Sequence, residues 1–164
     1  MKKLIPLLAF VAIAVVISGC ATQNPYVALA TRTPTTEDNQ ATYFFAAFQD
    51  ANLKSEKAVY PDAAIIVRAA VESAFVRYGK HVVQEKGDIE IAGIVTAYYQ
   101  GSFTRGYTTV GIDLKAIDRK TGGILWTAAG IKSTQYWYQY DPARWTQEVA
   151  DELVKALVAA SKKR

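Results

Sequence analysis

The chain opens on an unbroken apolar stretch, Leu4 to Ile17, with Pro6 inside it and Lys2-Lys3 before it. Past Ser18-Gly19-Cys20 the pattern turns polar. Ala21 to Asn39 is rich in Thr, Asn, Gln and Pro, with room for one short strand at Tyr26 to Ala30. This composition predicts a tether. Tyr43 to Phe48 is an apolar, aromatic run closed by the turn-forming Gln49 to Asn52. It reads as a buried strand, a short helix being the competing assignment. Lys54 to Pro61 reads as a loop. Asp62 to Tyr78 has helical spacing: Ala63, Val67, Ala70, Ala74 and Tyr78 share one face, widened by Ile66, Val71 and Phe75. Asp62 is placed to cap this helix, Arg68 and Glu72 to pair across one turn, and Gly79 to end it.

Three strand signals follow. His81 to Val83 is short. Ile89 to Tyr99 alternates, with Ile89, Ile91, Gly93, Val95, Ala97 and Tyr99 on one side. Tyr107 to Asp118 alternates again, with Val110, Ile112, Leu114 and Ala116 together. Asp118 to Gly123 is a turn, and Ile124 to Tyr138 a long strand. Asp141, Pro142 and the stripe Trp145, Val149, Leu153, Ala156 and Ala160 predict a last helix to Ser161. The acids Glu148, Asp151 and Glu152 lie early in it and the bases late, as the helix dipole favours. The expected fold is α+β: a mainly antiparallel sheet of four to five strands with two helices on one face.

Composition adds bounds. The length of 164 residues suits one folded domain, expected over residues 41–164 behind the tether of residues 20–40. The N-terminal layout is that of a secretory signal over residues 1–19: basic start, apolar run, small-residue cleavage site. Its apolar run is about 14 residues. A permanent membrane-spanning helix needs about 20. Removal of Lys2 and Lys3 with the signal lowers the formal charge from +4 to +2, which gives little support to nucleic-acid binding. One Cys rules out a disulfide framework within the chain, and one His a histidine cluster.

Ile17-Ser18-Gly19-Cys20 resembles the lipobox of bacterial lipoproteins. The resemblance implies cleavage between Gly19 and Cys20 and a lipid on Cys20. Several acyl chains anchor stably where a single one holds marginally. Ala21, with no Asp at that position, resembles the outer-membrane class, so the implied location is the periplasmic side of the outer membrane.

Candidate chemistry is thin. His81 has no partner motif for general-base work. Asp113, Asp118 and the pair Asp151-Glu152 do not match metal-ligand spacing, and no metal site is expected. Asp88 and Glu90 lie two apart on one strand, not across a cleft as glycoside hydrolysis requires. The loop Gly101 to Gly106 lacks the following helix that favours phosphate binding. No catalytic residue, and no cofactor beyond the lipid, is expected. The aromatic residues stand out instead: Tyr98, Phe103 and Tyr107 flank one loop, and Tyr136, Trp137, Tyr138 and Tyr140 cluster at and just past the end of the last strand. They either cover the sheet edge and pack on Trp145 or form a partner-binding surface. Lys162 to Arg164 either forms a solvated end or meets anionic lipid.

Asp118-x-x-Thr121-Gly122-Gly123-x-Leu125-Trp126-x-Ala128 resembles a hairpin shared by small bacterial envelope lipoproteins. These include the CsgG-like group, lipoprotein activators of penicillin-binding proteins, and YajG-like lipoproteins. Phe45 to Asp50 is similar to their opening strand, with Ala in place of its Pro. The resemblance implies a fold similar to the N-terminal domain of TolB, and a non-enzymatic role. The expectation is a lipid-anchored periplasmic protein that binds an envelope protein and helps assemble or regulate a complex. The alternatives are a self-assembling ring or sheath subunit, and a glycan or small-ligand binder.

Overall fold

The computed structural model describes residues 26–29, 40–100, 107–135 and 142–161. The expectations for the signal, Gly19, Cys20, Phe103, Tyr136, Trp137, Tyr138, Tyr140, the Asp141 cap and the basic C-terminal end lie outside these residues.

The elements are β1 (Tyr26–Leu29), β2 (Thr42–Phe45), β3 (Gln49–Asp50), α1 (Lys54–Val59), α2 (Ala63–Arg77), β4 (His81–Val83), β5 (Ile89–Gln100), β6 (Tyr107–Asp118), β7 (Ile124–Gln135) and α3 (Pro142–Ser161). All seven strands join one sheet in the order β1-β7-β6-β5-β2-β4, and β3 continues the line of β2 along β5. The expected meander is present: β5, β6, β7 and β1 are successively antiparallel. The remainder corrects the expectation. β2 and β3 run parallel to β5, and β4 runs parallel to β2. A helix between two neighbouring strands returns the chain to begin the second in the first one's direction, so β2-α2-β4 is a parallel unit. The sheet is therefore mixed and wider than expected.

The link from β4 to β5 is short for parallel strands. Residues 84–88 pass from one side of β2 to the other. Gly87 makes this possible, because a Cβ there would stand 2.8 Å from the backbone nitrogen of Phe44. Asp88 then locks the start of β2. Its Oδ2 accepts from Thr42 N (2.9 Å) and Oγ1 (2.7 Å), while Asp88 N donates to Thr42 Oγ1 (3.0 Å). The Arg119 N–H donates to the Asp88 carbonyl at 3.0 Å.

The core lies between one sheet face and α2 with α3. Phe75 of α2 is its centre. Its ring meets Tyr43 at 5.3 Å and Phe45 at 5.2 Å edge-on, and stacks on Trp126 at 6.3 Å. From β5 come Ile89, Ile91 and Val95, and from β6 Val110, Ile112, Leu114 and Ala116. A bulge between Val95 and Ala97 then switches the inward side of β5. Past it Tyr98 turns into the core, not Ala97 and Tyr99 as strict alternation predicts.

α2 ends as its sequence requires. Gly79 takes φ +73°, Lys80 N donates to Phe75 O (3.0 Å) and Gly79 N to Val76 O (3.0 Å). These are the two hydrogen bonds of a Schellman motif. At the other end Asp62 makes no side-chain cap bond, and Ile66 and Tyr78 are exposed, so the buried face is Ala63, Val67, Val71, Ala74 and Phe75. In α3 the buried set is Val149, Ala150, Leu153, Val154 and Leu157, with Trp145 and Ala156 at its margin. α1 replaces the predicted loop. Leu53 and Val59, which flank and end it, stay 69% and 66% exposed, so no periodic buried face marked it.

Candidate functional site

The polar candidates for catalysis are dispersed. Among the described residues no group of three or more His, Cys, Asp or Glu could hold a metal ion. His81 is exposed at the start of β4. Asp88 is occupied by Thr42, whose backbone and side-chain hydrogen bonds hold its carboxyl below the usual range. Glu90 sits on the sheet opposite Phe44 and Ile117. Asp118 builds its own turn, accepting from Lys120 N (2.9 Å) and Thr121 Oγ1 (2.7 Å). Asp151 pairs with Arg77 at 2.6 Å, joining α3 to α2.

One charged group does enter the sheet–helix interface. Lys132 follows Trp126, Ala128 and Gly130 at inward positions of β7, and its side chain is 12% exposed. Its Nζ lies 2.8 Å from Glu148 and 3.3 Å from Glu152, and 4.6 Å from the centroid of the Trp145 ring. Burial pulls this ammonium down, but the Glu148 hydrogen bond and the two carboxylate charges outweigh it and lift it above the ordinary lysine value. Two glutamates four apart on α3 and a lysine at an inward strand position carried this clamp in the sequence, unread.

The exposed apolar residues mark two candidate surfaces. Both long helices pack on one sheet face, and among the described residues no helix covers the other. There the register sets rows across β5, β6 and β7: Ile94–Asp113–Ala129, then Ala92–Lys115–Thr127, with Ile131 beside Gly111. Ile94 and Ile131 are each 39% exposed. Asp113 is exposed, yet partial desolvation by the surrounding sheet pushes its carboxyl above the usual range. The face thus carries exposed isoleucines beside the exposed charges of Asp113 and Lys115.

The second surface lies on α2 and the break between β2 and β3. Ala47, Phe48, Ala64, Ile65, Arg68 and Ala69 border a shallow hollow of about 200 Å³. Ile65 is 68% exposed beside it. Arg68 and Glu72 form the expected pair, at 4.0 Å, but the buried Arg68 Nε has no hydrogen-bond partner.

The aromatic reading is corrected at one position and lies outside the described residues at five. Tyr98 is 1% exposed, its ring 5.4 Å from Tyr60, so it belongs to the core. The bulge before it is the cause. Tyr107 opens β6 opposite Gln135.

No protein-family model matches the sequence, and neither does any curated protein. Solved structures do share the fold. The PelC dodecamer from Paraburkholderia phytofirmans superposes with a TM-score of 0.60 at 14% identity, over 81% of this chain and 96% of that one. Protein XCC0632 from Xanthomonas campestris gives 0.55 at 13% identity, over 82% and 95%. Lipoprotein GNA1162 from Neisseria meningitidis gives 0.52 at 12%, over 76% and 99%. Each match spans nearly the whole of the other chain. This fold therefore occurs in a bacterial lipoprotein and in a protein that forms dodecamers. Among the described residues no helix is long and apolar enough to cross a membrane.

What the sequence reading missed was the sheet face that no described helix covers. Its signal was present: from Ile91 to Val95 every residue of β5 is apolar or Gly, so both faces of the strand carry apolar positions.

Proposed function

We propose that this chain is a lipid-anchored component of the bacterial envelope that works by protein contact, without catalysis, from the periplasmic side of the outer membrane. The observation that carries the reading is a sheet face with exposed apolar positions that no described helix covers, opposite a well-packed helical layer. A sheet face of this kind is a natural protein-binding surface. The lipobox-like Cys20 supplies the anchor, and the fold shared with lipoprotein GNA1162 supports the class.

A second, narrower reading is that the contact is between copies of the chain, as in a ring or sheath. The dodecameric state of PelC, which shares the fold, favours it.

The test is crosslinking in cells of the full-length protein carrying a C-terminal tag, with Cys20→Ser alongside. The expected outcome is specific crosslinked species that sediment with outer membranes and are lost from that fraction in the Cys20→Ser protein. Wild-type protein that is soluble and uncrosslinked would overturn the proposal.

A further inference from the structure

The two exposed apolar surfaces carry matching charges. On the sheet, Asp113 and Lys115 lie two residues apart on the same face of β6, a separation of roughly 7 Å along a strand. On α2, Arg68 and Glu72 lie four residues apart, roughly 6 Å along a helix. Each doublet is flanked by small and branched apolar side chains: Ile94, Ala129 and Ile131 on the sheet, Ile65 and Ala69 on the helix. The order is opposite in sign, acid then base on β6 and base then acid on α2.

The directions also agree. α2 is the return limb between the parallel strands β2 and β4, so it runs against them. β6 is antiparallel to β5, which is parallel to β2, so β6 also runs against them. Within one molecule α2 and β6 therefore point the same way, on opposite sides of the sheet.

We infer that the uncovered sheet face of one copy docks on the α2 hollow of the next, with Asp113 against Arg68, Lys115 against Glu72, and an isoleucine of the sheet in the hollow. This rests on the self-association reading above and assigns its interface. The pairing needs β6 of one copy parallel to α2 of its neighbour, which is the relation the two elements already have within a copy. Neighbours thus stack in the same orientation. That arrangement is head-to-tail, and it closes into a ring or continues as a filament. All copies then present the same end to the membrane. Docking gives the Asp113 carboxylate, which the surrounding sheet partly desolvates, a counter-charge in the Arg68 guanidinium.

The test is charge reversal in the full-length protein, purified in detergent and sized by light scattering with the detergent contribution subtracted. Wild type is expected to form oligomers. Asp113→Arg alone and Arg68→Asp alone should each dissociate at least tenfold more readily. Mixing the two single variants should restore assembly, because in an alternating assembly every interface again pairs opposite charges: the introduced arginine with the introduced aspartate at one, and Asp113 with Arg68 at the next. The double variant should assemble alone. Circular dichroism melts confirm that each variant folds; Lys115→Glu with Glu72→Lys serves as a second pair if a first-pair variant melts lower. Wild-type oligomers unaffected by either reversal overturn this interface while leaving self-association standing. So does failure of the mixture and of the folded double variant to reassemble. A monomeric wild type overturns both.

Discussion

Gly87 shows how one missing side chain decides a connection. It lies against the backbone of Phe44, where a Cβ would press on N and C atoms that cannot swing away. Gly87→Ala should cost about 1–3 kcal/mol, the usual penalty of overpacking, measured as a lower urea midpoint with unchanged slope. Lys132 is the second decisive residue. Its Glu148 and Glu152 partners hold it above its ordinary value of 10.5, so its stabilisation is complete below that value and is lost as pH rises through the folded one. Lys132→Met should cost about 1–2 kcal/mol at neutral pH, less than for a fully buried pair because both glutamates are about half exposed. The variant should also lose the wild type's extra fall in stability at alkaline pH. Equal melting of both proteins across the neutral range would remove the clamp from the account.

At the scale of elements, local chemistry was legible and distant pairing was not. The end of α2 at Gly79, the inward face of β6 and the Asp118 turn follow from residues within one turn or one alternation. β2 is different. Its partners are His81 to Val83 and Ile89 to Ile91, some 40 residues on, and nothing in Thr42 to Phe45 states their direction. The β5 bulge was equally silent, since Val95-Thr96-Ala97 continues an acceptable alternation, and it turned Tyr98 inward against expectation. In the Leu125-Trp126 motif Trp126 is buried on Phe75, and Leu125, at the irregularity where the β6–β7 register shifts, is half-buried against the same core. Phe75 ties α2 to β2 and β7 through three aromatic contacts. Phe75→Ala should therefore cost about 3–5 kcal/mol, seen in thermal melts, while Phe75→Leu should cost much less. A loss below about 1 kcal/mol for the alanine variant would mean the rings repack without it.

For the whole molecule, the two apolar surfaces lie on opposite sides of one sandwich, and this placement decides what assembly can look like. A single self-complementary patch gives closed pairs; two different patches on opposite sides give chains or rings. The sequence held these patches in plain alternation, Ile94 between inward Gly93 and Val95, and Ile131 between inward Gly130 and Lys132. Attention to aromatic residues hid them, because aliphatic positions on an outward face resemble ordinary core signal until the helices are placed on one side.

β1 has a mechanical consequence. It is an edge strand whose only described strand partner is β7, through four residue pairs from Tyr26–Ala129 to Leu29–Trp126. If Cys20 carries the lipid, as proposed, five residues separate the anchor from Tyr26, a reach of roughly 20 Å at full extension. If β1 leaves the sheet, the free length runs from Cys20 to the start of β2 at Thr42, roughly 70 Å fully extended. Such a leash would have two lengths, set by whether this four-residue edge strand is paired with β7 or free of it.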